Sequence, residues 1–123
     1  MLQCKMLAMR YLLICCLLII NGSFVCAQTQ VEMNMDAQKS YETADLELNK
    51  TYKLLMKELD PEAKILLKKA QLDWIKFRDS HCAFEGQMYE GGSAQPMVIS
   101  SCLEAVTKTR TEELKASLVD RKM

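Results

Sequence analysis

The sequence predicts an all-α fold, a small antiparallel helical bundle of about three helices with one disulfide between the end of helix two and the start of helix three. Three observations carry that prediction. Apolar residues recur at three- and four-residue intervals over two long stretches and part of a third, a period that builds a helical stripe and not a strand face. Helix start and stop signals fall between those stretches. The last two of the six cysteines, Cys82 and Cys102, bracket a segment holding three of the four glycines.

The chain begins with a short basic segment containing Lys5 and Arg10, followed by the apolar run "YLLICCLLII" from Tyr11 to Ile20. "NGSFVCAQ" then breaks the run and places Val25 and Ala27 at −3 and −1 of a cut before Gln28. Basic start, apolar run and small-residue site together read as a secretory signal peptide over residues 1–27. A membrane anchor is the weaker alternative, because the run falls short of the ~20 residues that span a bilayer. A lipoprotein signal is also the weaker reading, since Phe24-Val25 precede Cys26. The expectation is therefore one domain over residues 28–123, periplasmic or secreted, with no stable membrane span after cleavage.

Helix one of that domain opens at "TQVE", where Thr29 and Glu32 have capping-box spacing. Tyr41, Ala44, Leu48, Tyr52, Leu55 and Leu59 then form one apolar stripe. "LDPEAK" ends it and starts helix two, with Asp60 as cap, Pro61 at the first helical position and Glu62 at the positive helix end. Helix two is expected to bury Ala63, Leu66, Leu67, Ala70, Trp74 and Phe77 on one side and to stop at Gly86. Gly91 and Gly92 read as turn residues at positive φ, and Pro96 preorganises helix three. Helix three offers Cys102, Leu103, Val106, Leu114 and Leu118 to the core, with Lys108, Arg110 and Glu113 supplying charge. The short connections favour antiparallel neighbours.

Cleavage before Gln28 leaves Cys82 and Cys102 as the remaining pair, and in an oxidising compartment a disulfide is the default. A loop of about twenty residues closed in this way contributes ~3 kcal/mol. The alternatives are a reactive pair and a zinc or copper site built from His81, Cys82 and Cys102. The thiols would consume each other first. No cofactor or metal is expected.

Charge narrows the partners. The leader takes two of the 16 basic residues and none of the 16 acidic ones, leaving a net charge of about −2. No strongly basic face follows, so nucleic acid is not an expected partner.

"WIKFRDSHC", Trp74 to Cys82, is the densest local pattern. Trp74 and Phe77 are spaced to bury rings together, with Arg78 and Asp79 at the edge. One reading makes Arg78 and Asp79 a recognition pair for a carboxylate or sugar. The favoured one makes Trp74, Phe77, Arg78, Asp79, Arg110 and Glu113 a structural clamp, in which Arg78 grips a neighbouring helix through a carboxylate such as Glu113. A triad of Ser93, His81 and Asp79 lacks a nucleophile motif and an oxyanion hole, so no enzyme is expected. "EGGSAQP" lacks the Lys-Ser/Thr of a phosphate loop, and Met33 and Met35 read as packing rather than copper ligands. "NKT" at Asn49 to Thr51 is a glycosylation sequon, relevant only where the source has that machinery.

"TQVEMN", "ADLELNKTYKLLM", "LLKKAQLDWIKFRDSHCAFE", "GGSAQPM" and "SCLEAVTKTRTEEL" follow one another in an order that resembles the LprI-type lysozyme inhibitor family. The resemblance spans Thr29 to about Leu118. It implies a small exported protein of the bacterial periplasm or envelope whose partner is lysozyme or another envelope protein. It assigns no inhibitory residues. The family pattern carries a cysteine shortly after the Met-Asn where this chain has Asp36, so Cys82 and Cys102 stand as the sole pair. Lysozyme works through two carboxylates in a sugar-binding cleft, and a rigid protrusion blocks such a cleft at low entropic cost. The loop carrying Tyr89, Glu90, Ser93 and Gln95 is the expected contact, although Gly86 to Pro96 contains no Lys or Arg to meet those carboxylates. The alternative is a structural or envelope-stress accessory module that presents a helix face and has no lysozyme activity.

Overall fold

The computed structural model describes the backbone of residues 2–122 and the side chains of residues 29–122. The leader expected over residues 1–27 lies outside the described side chains. Contacts divide the chain into two units, residues 1–32 and residues 33–123, and the second holds the helical domain.

Three helices make up the described residues: α1 (Leu2–Glu58), α2 (Pro61–Gln87) and α3 (Gln95–Asp120), with no strand among them. Helix α1 runs through Thr29 without a break, so the Thr29–Glu32 pair does not open a helix here. The α1–α2 break forms as its residues dictate. Asp60 is extended, its carboxylate accepts the Ala63 N–H at 2.8 Å, and Pro61 takes the first helical position.

Cross-helix contacts fix the topology. Asp45 meets Arg78 across the α1–α2 turn, and Cys82 meets Cys102 while Gln71 meets Arg110 across α2–α3. Both pairs of neighbours are therefore antiparallel. Asn34 with Ser93, Gln38 with Ser100 and Glu47 with Lys115 advance together, so α1 and α3 run parallel. The result is an up-down-up bundle.

Its core is small. Leu48 and Leu55 of α1, Leu59 just past its end and Leu114 of α3 form the buried cluster, with Tyr52, Met56, Ala63, Leu67, Trp74 and Leu118 packed against it. The stripe expected on α1 is the stripe observed, with Ala44 also buried. Helix α2 differs. Leu66 and Phe77 are exposed, and the buried residues of α2 are Gln71, Arg78, Cys82 and Gly86. On α3, Ser100, Thr107 and Thr111 are buried beside Leu114. Polar side chains thus occupy much of the seam, and most of them hold hydrogen bonds.

Candidate functional site

The connection between α2 and α3 is built around the Cys82–Cys102 disulfide, whose Cα atoms lie 5.5 Å apart, within the usual span for a bridge. Cys82 is wholly buried. One turn further on, Gly86 remains inside α2 rather than ending it. A Cβ at that position would overlap the Ile99 side chain, so glycine here serves close approach of α3. The left-handed residue is Gly91, at φ +76°; Gly92, expected to share that role, does not have positive φ. A Cβ on Gly92 would instead press on the Tyr89 carbonyl at 3.2 Å.

Successive backbone bonds close the turn. The N–H groups of Tyr89, Glu90, Gly92 and Gln95 donate to the carbonyls of Gly86, Gln87, Tyr89 and Gly92. Asn34 of α1 donates its side-chain amide to the Ser93 carbonyl at 3.0 Å, tying the turn to α1. Met88, Tyr89, Glu90 and Ser93 face solvent from this braced frame. Gln95 is half-buried and turns its amide inward to the Gly86 carbonyl at 3.3 Å. Of the four residues expected in the contact loop, three are presented outward and one supports the turn.

A second constellation lies between α1 and α2. Arg78 is 7% exposed, and its Nε donates to Asp79 at 2.9 Å while Nη1 donates to Asp45 at 3.2 Å. Asn49 donates to the other oxygen of Asp45 and fixes that carboxylate. The guanidinium lies 5.1 Å from the Trp74 ring centre and 5.5 Å from that of Tyr41. Burial works to lower the Arg78 pKa, but the hydrogen bond to Asp79, charge interactions with Tyr41 and Asp79, and the bond to Asp45 outweigh it and hold the pKa above its ordinary value. Burial has the opposite effect on the Tyr41 phenol and pushes it up, opposed by Arg78.

Glu113, expected as the carboxylate for Arg78, pairs with Arg110 on its own helix at 2.8 Å. Arg110 also donates to Gln71 at 3.1 Å and lies 6.0 Å from the Trp74 ring centre, so two guanidinium groups lie near the indole. The partner that sequence reasoning missed is Asp45. Its signal was present: Asp45 follows Ala44 on α1 and stands four residues after Tyr41, at the margin of the buried stripe. Phe77 does not join the clamp. It stacks on His81 at 5.4 Å on the outer side of α2.

Chemically, these groups are committed to one another. Both sulfurs sit in the bridge, which leaves His81 without the thiolate partners that a zinc or copper site would use. Among the described residues, no group of three or more His, Cys, Asp or Glu side chains is placed to hold a metal ion. Asp79 is engaged by Arg78 and does not orient His81. The arrangement can present a rigid, cross-braced surface.

A family model described as "Lysozyme inhibitor LprI" matches residues 25–114. An uncharacterised protein of Rhizobium meliloti (strain 1021) is 38% identical over 102 residues, covering 72% of this chain and 73% of the relative. No solved structure matches. No helix among the described residues is long and apolar enough to cross a membrane.

Proposed function

The chain belongs to the LprI lysozyme inhibitor family, and from that premise we propose that it is an exported inhibitor that meets lysozyme with the α2–α3 turn. The carrying observation is the bracing of that turn. The disulfide, the Gly86–Ile99 contact and the Asn34–Ser93 bond hold it from three sides while Tyr89, Glu90 and Ser93 face outward. A preorganised protrusion loses little conformational entropy on binding. Because the turn has no Lys or Arg, its inhibition works by occluding the cleft, with hydroxyl and backbone donors at the contact. The signal-like residues 1–27 support export into an oxidising compartment, where the bridge forms.

The test is titration of the purified protein into several lysozyme types, followed by cell-wall turbidity, with and without reductant. The double variant Tyr89→Ala, Ser93→Ala is expected to keep its fold and weaken inhibition at least tenfold. Unchanged inhibition by a folded variant removes the turn from the mechanism.

One observation favours a second reading, an accessory module without lysozyme activity. Leu66, Phe77, Phe84 and Met88 leave an apolar stripe exposed along α2, and such stripes mark interaction surfaces. Absence of inhibition against every lysozyme type would select this reading.

A further inference from the structure

We propose that the exposed face of α2 is the interface of a homodimer, in which two copies of α2 pack antiparallel about Phe77. This stands apart from the lysozyme reading and can fail without it.

The stripe comprises Leu66, Ala70, Asp73, Phe77, His81, Phe84 and Met88. Its steps average close to the natural helical turn, so it stays on one side of the helix along about 33 Å. Leu66 is 62% exposed, Phe77 56%, Phe84 72% and Met88 85%. Among the described residues no other helix covers them. The Phe77–His81 stack gives the middle of the stripe a flat, fixed platform.

The occupant that fits is a second copy, because side chains of unlike size and charge fall opposite one another across an axis at Phe77. The steps run four, three, four and then four, three, four, so the pattern reads the same in both directions from Phe77. In an antiparallel pair with its twofold axis at Phe77, the small Ala70 is level with the large Phe84 of the second copy, and Leu66 is level with Met88. Asp73 is level with His81, a carboxylate beside an imidazole in each of the two polar layers that flank Phe77. Asp73 is held by Lys69 at 2.8 Å and Lys76 at 3.7 Å at the rim of the stripe, so its charge is already compensated. A self-complementary patch of this kind is what an isologous interface requires.

The area is sufficient. At ~200 Å² for a large side chain, the exposed parts of Leu66, Phe77, Phe84 and Met88 come to roughly 500 Å² per copy, before Ala70, His81 and the lysine stems are included. Two copies together reach the ~1,200 Å² at which stable interfaces begin.

Sedimentation equilibrium on the full chain with its bridge oxidised tests this over about 1–100 μM. The expected result is a concentration-dependent rise to twice the monomer mass. Phe77→Glu and Phe77→Lys, both at an exposed site, are expected to melt like the parent and to weaken association at least ~30-fold, as loss of a central anchor does. A mixture of the two is expected to recover the doubled mass, because position 77 meets itself across the axis. A parent that stays monomeric throughout overturns the proposal, and so does a Phe77→Glu variant that stays dimeric. A mixture that stays monomeric removes the axis at Phe77. A monomeric parent whose Phe77→Glu variant loses lysozyme inhibition assigns the stripe to lysozyme instead.

Discussion

Arg78 of α2 reaches Asp45 of α1 at 3.2 Å while lying against the rings of Trp74 and Tyr41, so a charged side chain occupies a place in the seam between two helices. A buried ion pair adds little net stability, but removing one partner strands the other. Asp45 is 38% exposed and Asp79 remains as a second partner, which reduces the cost of losing Asp45. Asp45→Ala is expected to cost about 1–2 kcal/mol in urea unfolding. Arg78→Ala, which also empties the space between the rings, is expected to cost about 3 kcal/mol. Equal and negligible losses in both variants would show that the pair is a surface contact.

The bridge carries a comparable share. Cys82→Ser with Cys102→Ser is expected to lose about 3 kcal/mol, as closure of a twenty-residue loop predicts. The parent protein should show the same loss on reduction, and the double variant none. A melting temperature indifferent to reductant would contradict the bracing of the α2–α3 turn.

Two neighbouring threonines should respond oppositely to loss of a hydroxyl. Thr107 is wholly buried, and its Oγ1 has no hydrogen-bond partner among the described residues. Thr111 is also buried, but its hydroxyl donates to the Thr107 carbonyl at 3.0 Å. Thr107→Val is expected to stabilise by about 1 kcal/mol, since it removes an unmatched polar atom at nearly constant volume. Thr111→Val is expected to be neutral or to cost up to about 1 kcal/mol. Denaturation of the two variants side by side reads the difference, and a clear loss in Thr107→Val would mean that its hydroxyl is satisfied in solution.

Tyr41 gives the fold an alkaline limit. Its phenol ionises above the ordinary value near 10, chiefly because of burial. The unfolded chain therefore releases this proton first as pH rises. The stabilising contribution is fully present below the unfolded pKa and is lost as pH climbs through the folded one. Absorbance titration of tyrosinate should show a late component that disappears in Tyr41→Phe. A late end of the titration that Tyr41→Phe leaves unchanged would contradict the burial of this phenol.

Much of this was legible in the residues themselves. The stripe of α1 and the Asp60–Pro61 start of α2 follow from spacing and local chemistry, which act over one or two turns. The pairing of Cys82 with Cys102 follows from their being the two cysteines outside the expected leader. The inner face of α2 was not legible in the same way. Two stripes run along that helix, roughly 100° apart at 3.6 residues per turn. One holds Leu66, Ala70, Phe77 and Phe84; the other holds Ala63, Leu67, Gln71, Trp74, Arg78 and Cys82. Apolar content points to the first, and the bundle buries the second. Cys82 and Gly86, each four residues after the previous member of the mixed stripe, were the residues that marked it.

Sequence by itself determined the three helices, the Asp60–Pro61 break, the bridge and the family, because each depends on periodicity, on a few capping residues or on ordered motifs. The expected start at Thr29 and stop at Gly86 were not among them. Tertiary structure alone decided which face of α2 turns inward, that Asp45 rather than Glu113 meets Arg78, and that Phe77 is left outside. Those outcomes depend on where α1 and α3 lie around α2. There the disulfide and the hydrogen bonds of Gln71 and Arg78 accompany a mixed face in the seam, while a more apolar one stays in water.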